Sequence, residues 1–594
     1  MAHGQERRDG MTKRFVVSGV LIVAATLIPH GTTTGAQRPA GGNTDWSLHN
    51  GDVGNGRYAS LDEINVSNAG RMGLKWSFEV GAAENIRQVT PLVLDGVMYL
   101  NAGSKLYAID AATGLQIWTA HVEPAFPGNG RGPTYGGGRI YAYGRGVLFA
   151  VDAKTGAVVE SFGNKGRLQV ADAIRLKYPK QDATGYEMSS PPAYYNGTLY
   201  VGLALSEAHF PGGLLVALDA VTGAVKWTFK TIPQGPSDEG WEIAKDTWRG
   251  GQRAGGGIWT QPAIDPELGL IYVNVANPSP AHDGSARKGI NLFTNAIVAL
   301  NLQTGKLAWY YQTVHHDVWE KDLVTGPILF DVNVGATKVK AVASSGKNCF
   351  MYIWNRETGM PLHPIVETAV PTASDVPGEE LWPTQPIPYN AKGVQMHPFC
   401  QTYPIIRDPE LARRARQMYF PYSIKEAYIV SHGGSFFGPP AFSPRTGLLY
   451  VTGKNAAVAL KVKPLGDTLR QGVGAIGFTE NIAEGPYRDK EVGVPSVLTV
   501  TAYNPGTGEL VWQQEDPDRG ARPGTSGTLV TAGDLLFQAS NTGDFYAFDA
   551  RSGKRLFTYT AKRTINSTPL TYRVNGKQYV SFVAMNIVLT FGLP

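Results

Sequence analysis

The chain has 594 residues, with 71 Gly, 39 Pro, 10% aromatic and only 17% charged residues. That composition excludes a disordered chain and suits a turn-rich β-protein with an ample apolar core. The net charge of +5 is too dilute for nucleic-acid binding, and no basic run is interleaved with aromatics on one element.

At the N-terminus, Lys13 and Arg14 precede an apolar run at 15–28, and the small residues Thr34, Gly35 and Ala36 follow. The run is shorter than the ~20 residues that a membrane-spanning helix needs. Its flanks predict a secretory signal peptide over 1–36, with an uncleaved anchor as the alternative. Export implies a periplasmic or extracellular protein with no stable membrane span. The only cysteines, Cys349 and Cys400, belong to no C-x-x-C-H haem motif and no C-x-x-C zinc site. In an oxidising compartment they form one disulfide or remain two thiols, and both readings stay open.

From Trp76 onward one unit recurs. An apolar strand runs into Asp or Asn, then Thr or Ser followed by Gly, and a Trp stands four residues after the Gly. It appears as AIDAATGLQIW at 108–118, ALDAVTGAVKW at 217–227, ALNLQTGKLAW at 299–309 and AYNPGTGELVW at 502–512. Degenerate copies stand at 150–156, 353–359 and 547–557. The Asp or Asn accepts turn N–H groups, the Gly takes positive φ, and the Trp is placed to dock on a neighbouring unit. Asp95-Gly96 and Asn196-Gly197 predict tight hairpins between the copies. Spacings of 42 residues (Asp110 to Asp152) and 45 (Asn504 to Asp549) match a four-stranded blade. Seven copies are visible, and joining the region around Trp76 to the C-terminal strands makes an eighth. The predicted fold is all-β: an eight-bladed β-propeller with tryptophan-docking repeats over 45–594. An open solenoid or two sandwiches is the alternative, disfavoured because closure hides sheet edges. Insertions fall near 360–435 and 466–493. Within the first, 408–419 predicts a short helix capped by Asp408, with Pro409 in its first turn.

The stretch 255–322 is the most informative. It predicts strands at 270–275 and 295–300, a Gly-rich turn ending on Trp259, and a strand ending on Asn277. A polar cluster follows: His315, His316, Asp317, Trp319, Glu320 and Asp322. An aromatic face, an amide oxygen and carboxylates on neighbouring strand ends suit a flat, anionic, metal-bound cofactor.

With GGGIW, NPSP and HHDVW in this order, the chain resembles the quinoprotein dehydrogenases, eight-bladed propellers that bind pyrroloquinoline quinone (PQQ) and a metal on the axis. The resemblance covers nearly all of the chain after Asp45. It implies Glu207 (SEAHF) and Asn277 (ANPSP) as oxygen ligands of Ca2+. It implies Trp259 as the indole on which the quinone stacks, and Arg131 (NGRG) and Ser189 (MSSPP) as partners of its carboxylates. Lys347 (SSGKN) matches the basic residue near the quinone oxygens. Glu320 falls where the family has its catalytic aspartate, and Asp322 where lanthanide-using members carry a second carboxylate. His315 and His316 are expected to be structural.

Three departures stand out. The family's adjacent Cys-Cys pair is missing near Ala125-Phe126, Gln88 replaces a common Glu, and Phe436 replaces a common Asn. The implied activity is oxidation of a small-molecule alcohol or sugar hydroxyl, with Glu320 as general base, Lys347 stabilising charge on the quinone oxygen and the metal as Lewis acid. Electrons would pass to a separate acceptor, a soluble cytochrome c, because the chain carries no haem motif. The rival expectation is a non-catalytic propeller resembling the outer-membrane assembly scaffold.

Overall fold

The computed structural model describes residues 44–594, except 82, 83, 85, 87, 125–129, 145, 205–207, 250, 405, 407, 436, 464–496 and 518–525. The signal-peptide reading, Ala125-Phe126, Glu207, Phe436 and the 466–493 insertion therefore lie outside the described residues.

Each blade begins from local turn chemistry. Asp95 and Gly96 both have positive φ (47° and 80°). This two-residue turn matches the twist of the strands it joins, here Leu92–Leu94 and Val97–Ala102. In the repeat turn, Asp110 Oδ1 accepts the N–H groups of Ala112 (3.0 Å) and Thr113 (2.8 Å), and Gly114 follows at φ +76°. The same turn is built on Asp152, Asp219, Asn301, Asn355 and Asp549. Each fourth-strand Trp docks on the turn of the next blade. Trp118, Trp227, Trp309 and Trp512 pack on Gly156, Gly305, Gly359 and Gly553. Their indole N–H groups donate to the carbonyls of Ala153, Leu302, Arg356 and Ala550 (3.1–3.3 Å). Glycine is required there, because a Cβ would lie only 2.4–2.7 Å from the nearest indole carbon.

Eight such sheets succeed one another in an eight-bladed β-propeller. The eighth blade pairs Gly73–Glu79 antiparallel with Ile587–Gly592, so the two ends of the propeller share one sheet, as expected. The fifth has only three strands, Ile328–Val334, Thr337–Ser345 and Met351–Asn355, because the chain makes one bridge at Pro361 and leaves into the insertion.

Several features were not anticipated. Tyr58–Ala59 adds a fifth, parallel strand to the seventh blade. Residues 44–57 bond to the free inner edges of the innermost strands, as in Trp46 to Val93, Ile264 to Val53, Leu329 to Gly54 and Phe442 to Gly56. Arg57, fully buried, spans this segment and two blades through the carbonyls of His49 (3.1 Å), Thr528 (2.7 Å) and Pro569 (2.5 Å).

The predicted helix at 408–419 is shorter, Pro409–Ala412. Asp408 caps it as expected, accepting from Glu410 and Leu411. It stops early because Arg414 and Arg416 bond instead to Ile429. The first insertion also forms a small sheet, Ile365–Ala369 with Thr384–Pro388, and its Tyr428–Ser431 pairs with Ala457–Leu460, which follows the second strand of the sixth blade. Cys349 and Cys400 form a disulfide, with Cα atoms 5.1 Å apart, that ties the fifth blade to this insertion. Closing a loop of 51 residues stabilises by about 4 kcal/mol on the chain-entropy model. Among the described residues no helix is long and apolar enough to cross a membrane.

Tryptophan docking is tested by two Ala substitutions at similar positive φ. In Gly305→Ala the new Cβ would lie 2.4 Å from Trp227 Cε3, whereas at Gly197 nothing lies within 4 Å. Both variants incur the backbone cost, about 1 kcal/mol, and Gly305→Ala loses a further 2 kcal/mol or so by displacing the indole. Urea unfolding midpoints should separate the two; equal midpoints would show that docking adds nothing.

Candidate active site

Arg131, Ser189 and Trp259 each lie a few residues before the innermost strand of blades two, three and four, and Asp322 before that of blade five. Asn277 follows the second strand of blade four, and Lys347 lies between the second and third strands of blade five. In antiparallel blades all these positions fall on one face.

The loop 315–322 is folded by Asp317, which is fully buried. Its carboxylate accepts the N–H groups of Trp319 (2.8 Å) and Lys321 (2.7 Å) and the amide of Asn295 (2.8 Å). Trp319 is anchored in the insertion, donating to Phe420 O (2.8 Å) and meeting Tyr419 edge to face at 5.3 Å. Glu320 has φ +58°, a conformation that costs of order 1 kcal/mol and persists only where its surroundings enforce it. Asp317 enforces it from the backbone side. Lys347 does so from the other, with Nζ 2.6 Å from Glu320 Oε1 and 3.0 Å from Asp322 Oδ1. The Lys347 N–H also donates to Asp322 O (3.1 Å). All three side chains are at most 10% exposed, so solvent screens the cluster little. Burial pushes the Asp322 carboxyl up to about 6, with Lys347 opposing and Glu320 reinforcing.

Asp322 Oδ2 accepts the indole N–H of Trp259 at 3.1 Å. The Arg131 guanidinium lies 5.1 Å from the centroids of both the Trp259 and Phe437 rings. It donates to Trp259 O (2.5 Å) and Ser190 Oγ (2.8 Å), and Ser189 Oγ is 3.3 Å from the same Trp259 carbonyl. Burial lowers Arg131 to about 10, which leaves it a cation at neutral pH.

The Gly-rich turn meets Asn277 through its backbone. Gly256 N–H donates to Asn277 O (2.9 Å), and at Gly255 (φ +101°) a Cβ would lie 2.5 Å from Ser279 N. His209, just after the undescribed Glu207, has Nδ1 3.1 Å from Ser279 Oγ. The Asn277 side chain is fully buried, and its Oδ1 has no hydrogen-bond partner among the described residues.

Arg131, Ser189, Trp259, Glu320, Asp322 and Lys347 thus form one bonded network, with Asn277 beside it. Gln88 is half-buried on the same face, two residues before Thr90, whose N–H donates to Arg131 O (2.9 Å). His315 and His316 are structural: His315 bonds Gln312 and Glu367, and His316 donates to Gly289 O (2.7 Å).

Sequence reasoning missed Ser190, Phe437 and Lys321. Ser190 sits in the MSSPP motif already singled out, and only the fold shows that it bonds Arg131; Phe437 follows Phe436, already noted in the sequence. Lys321 is buried, donates to Ser431 O (3.0 Å), and is lowered to about 8, chiefly by burial. His282 was missed too. It is buried, with Nδ1 3.0 Å from Val318 O and its ring edge-on to Tyr422, and burial holds its pKa below the ordinary value.

Eight blades, several of them joined by docked tryptophans, converging on such a cluster make the architecture of the quinoprotein dehydrogenases. The chain belongs to that family: the model described as "PQQ: Glucose/ethanol/alcohol dehydrogenase, beta-propeller domain" matches residues 46–580. It is 30% identical over 573 residues to the dehydrogenase subunit of the quinone alcohol dehydrogenase of Komagataeibacter europaeus, covering 90% of this chain and 71% of that protein. To the quinohemoprotein alcohol dehydrogenase of Comamonas testosteroni it is 29% identical over 603 residues, covering 96% and 77%. The solved structure of quinohemoprotein alcohol dehydrogenase ADHIIG from Pseudomonas putida superposes with a TM-score of 0.72 at 25% identity, covering 93% of this chain and 80% of that one. The chain is accordingly a PQQ-type oxidoreductase of the class acting on CH–OH groups.

His316 gives a pH prediction. Burial holds it neutral, lowering its pKa from 6.5 to about 3. The unfolded chain therefore takes up this proton below pH 6.5 while the folded one does not. The stability it contributes is present above pH 6.5 and is lost as pH falls toward 3, at up to ~1.4 kcal/mol per unit. His316→Gln should flatten that part of the stability–pH curve measured by urea unfolding. An unchanged slope would assign the acid sensitivity to other groups.

Proposed function

We propose that the chain is a periplasmic dehydrogenase that oxidises an alcohol or sugar hydroxyl using PQQ and a metal ion, Ca2+ or a lanthanide. It passes electrons to a separate acceptor, a soluble cytochrome c. One observation carries the reading: Lys347 is shared by Glu320 and Asp322, while Asp322 also holds the Trp259 indole. Base, cation and aromatic platform are thereby one rigid unit.

The residues fit both groups. Among the described residues, Asn277 Oδ1 is a buried acceptor with no hydrogen-bond partner and Arg131 Nε a buried donor with none. An amide oxygen with carboxylates is the donor set of a hard cation. Glu207, Asn277, Glu320 and Asp322 would hold the metal. Trp259, Arg131, Ser189, Gln88 and Lys347 would hold the quinone. When bound, the metal-polarised quinone supplies a two-electron acceptor for the hydrogen of the carbinol carbon.

The chain does the rest. Glu320 takes the hydroxyl proton as general base. Lys347 keeps that carboxylate aimed and places positive charge where negative charge develops. The Glu320 side chain is one methylene longer than the family's usual Asp and is drawn to Lys347 at 2.6 Å. Trp259, fixed through its N–H, offers a flat apolar face that needs no reorganisation. Insertion residues Tyr419 and Phe420 hold Trp319 and so shield the loop from water.

The base is tested by Glu320→Gln in protein reconstituted with PQQ and either Ca2+ or La3+. Dye-linked turnover on a panel of alcohols and sugars should fall by ~10²–10⁴, with quinone occupancy read from absorbance nearly unchanged. Full turnover would pass the role to Asp322. Stacking is tested by Trp259→Ala, which should weaken PQQ binding about tenfold by loss of the ring contact. Equal retention after dialysis would remove Trp259 from the cofactor site.

A further inference from the structure

The two cysteines lie in the shell around the acid loop. Cys349 follows Lys347 by two residues in a turn closed by its own N–H to Gly346 O (3.1 Å). Its disulfide partner, Cys400, precedes Gln401, whose carbonyl accepts Ser431 Oγ (2.5 Å) and faces Cys349 Sγ (3.4 Å). The Ser431 carbonyl accepts Lys321 Nζ (3.0 Å), and Lys321 adjoins Glu320, which returns to Lys347 at 2.6 Å. The path closes on itself. Cys349, Cys400, Ser431, Lys321, Lys347 and Glu320 are all buried. A second tie runs alongside. Asn348 donates to Tyr419 Oη (3.3 Å), and Tyr419 packs on Trp319, the residue before Glu320.

We propose that the Cys349–Cys400 disulfide is a positioning element of the site. It locks the turn 346–349 against 399–401, and so holds the ammonium groups of Lys347 and Lys321 in place around Glu320. The physical reason is slack. Lys side chains carry large rotameric freedom, and a buried ammonium stays put only where its backbone and acceptors are fixed. Lys347 depends on the turn that contains Cys349, and Lys321 on the carbonyl of Ser431, a strand-end residue whose hydroxyl is tied to Gln401. The disulfide is the covalent link between those supports. The non-covalent contacts are enough to keep the insertion docked without it: Phe399 N–H to Cys349 O (2.9 Å), Gln401 N–H to Asn455 Oδ1 (2.8 Å) and Thr499 Oγ1 to Phe399 O (2.6 Å). Reduction is thus expected to loosen the lysines without unfolding the propeller. The consequence for turnover rests on the dehydrogenase reading above; the positional claim does not.

The test uses the metal-free and quinone-free protein first. Acetic anhydride labelling is followed residue by residue by mass spectrometry, before and after reduction with a phosphine. In the oxidised protein Lys321 and Lys347 should resist labelling. After reduction, with unfolding still cooperative, their labelling should rise at least tenfold while exposed lysines such as Lys554 stay unchanged, and reoxidation should restore protection. Ser431→Ala cuts the same circuit without touching a cysteine and should release Lys321 selectively, which covers the case of Cys349→Ser/Cys400→Ser failing to fold. In the loaded enzyme, reduction should lower kcat ten- to a hundredfold, the scale of a misplacement near 1 Å, with KM and quinone occupancy little changed. Labelling unaltered by reduction overturns the proposal, whatever the turnover. Labelling that rises in a loaded protein showing no turnover in either redox state upholds the lock and counts against the dehydrogenase reading.

Discussion

Ring closure is the constraint on which the rest depends. Gly73 pairs with Gly592 and Glu79 with Ile587, so the first strand of the ring is hydrogen-bonded to its last. Without that pairing two sheet edges would lie open, and the beginnings of the innermost strands would not converge on one axis. With it, residues as distant in sequence as Arg131 and Lys347 stand on one face. Closure leaves the inner strand edges to be satisfied, and residues 44–57 satisfy them, with Arg57 bonded to carbonyls of two blades. The channel is thus packed by the chain's own N-terminal segment, and the polar cluster lies at the mouths of the strands.

Two kinds of buried ion pair show what is structural and what is not. Arg356 pairs with Asp265 (2.5 Å) and Asp331 (3.0 Å), and its carbonyl is the acceptor on which Trp309 docks. That arrangement serves the repeat. The Lys347 cluster has no such service. One ammonium faces two carboxylates, a third carboxylate shapes their loop, and Asp322 is pushed up to about 6 by burial. Buried charges of this kind add little net stability and often cost it. Their concentration beside an aromatic platform and an amide oxygen with no partner among the described residues is better explained by chemistry than by folding.

The insertion after the fifth blade has two physical roles. It replaces that blade's missing fourth strand as cover, and it closes over the acid loop through Trp319, Tyr419 and the disulfide. The family's adjacent cysteine pair is absent from the chain. The disulfide that is present approaches the site from the side of Lys347, through backbone rather than ring contact.

Much of the fold was readable without coordinates because its causes are local. Asp110 bonding its own turn, Asp95-Gly96 setting a hairpin and Trp118 standing four residues past Gly114 are all short-range patterns, and repetition multiplied them into blades. The resemblance carried by GGGIW, NPSP and HHDVW, rather than the repeat, singled out Trp259, Asn277, Glu320 and Lys347. What the sequence could not decide depended on neighbours far along the chain. The helix at 409 stopped after one turn because Ile429 competed for its backbone. Ser190 rather than Ser189 took the bond to Arg131, while Ser189 Oγ turned to the Trp259 carbonyl, a matter of which way one strand end faces. Cys349 met Cys400 only because the insertion folds back on the fifth blade. Local periodicity therefore determined the strands, the turns and the count of blades. The pairing of Lys347 with two acids, the plug in the ring and the covalent lock were decided only by the tertiary structure, because burial and long-range register exist only once the ring has closed.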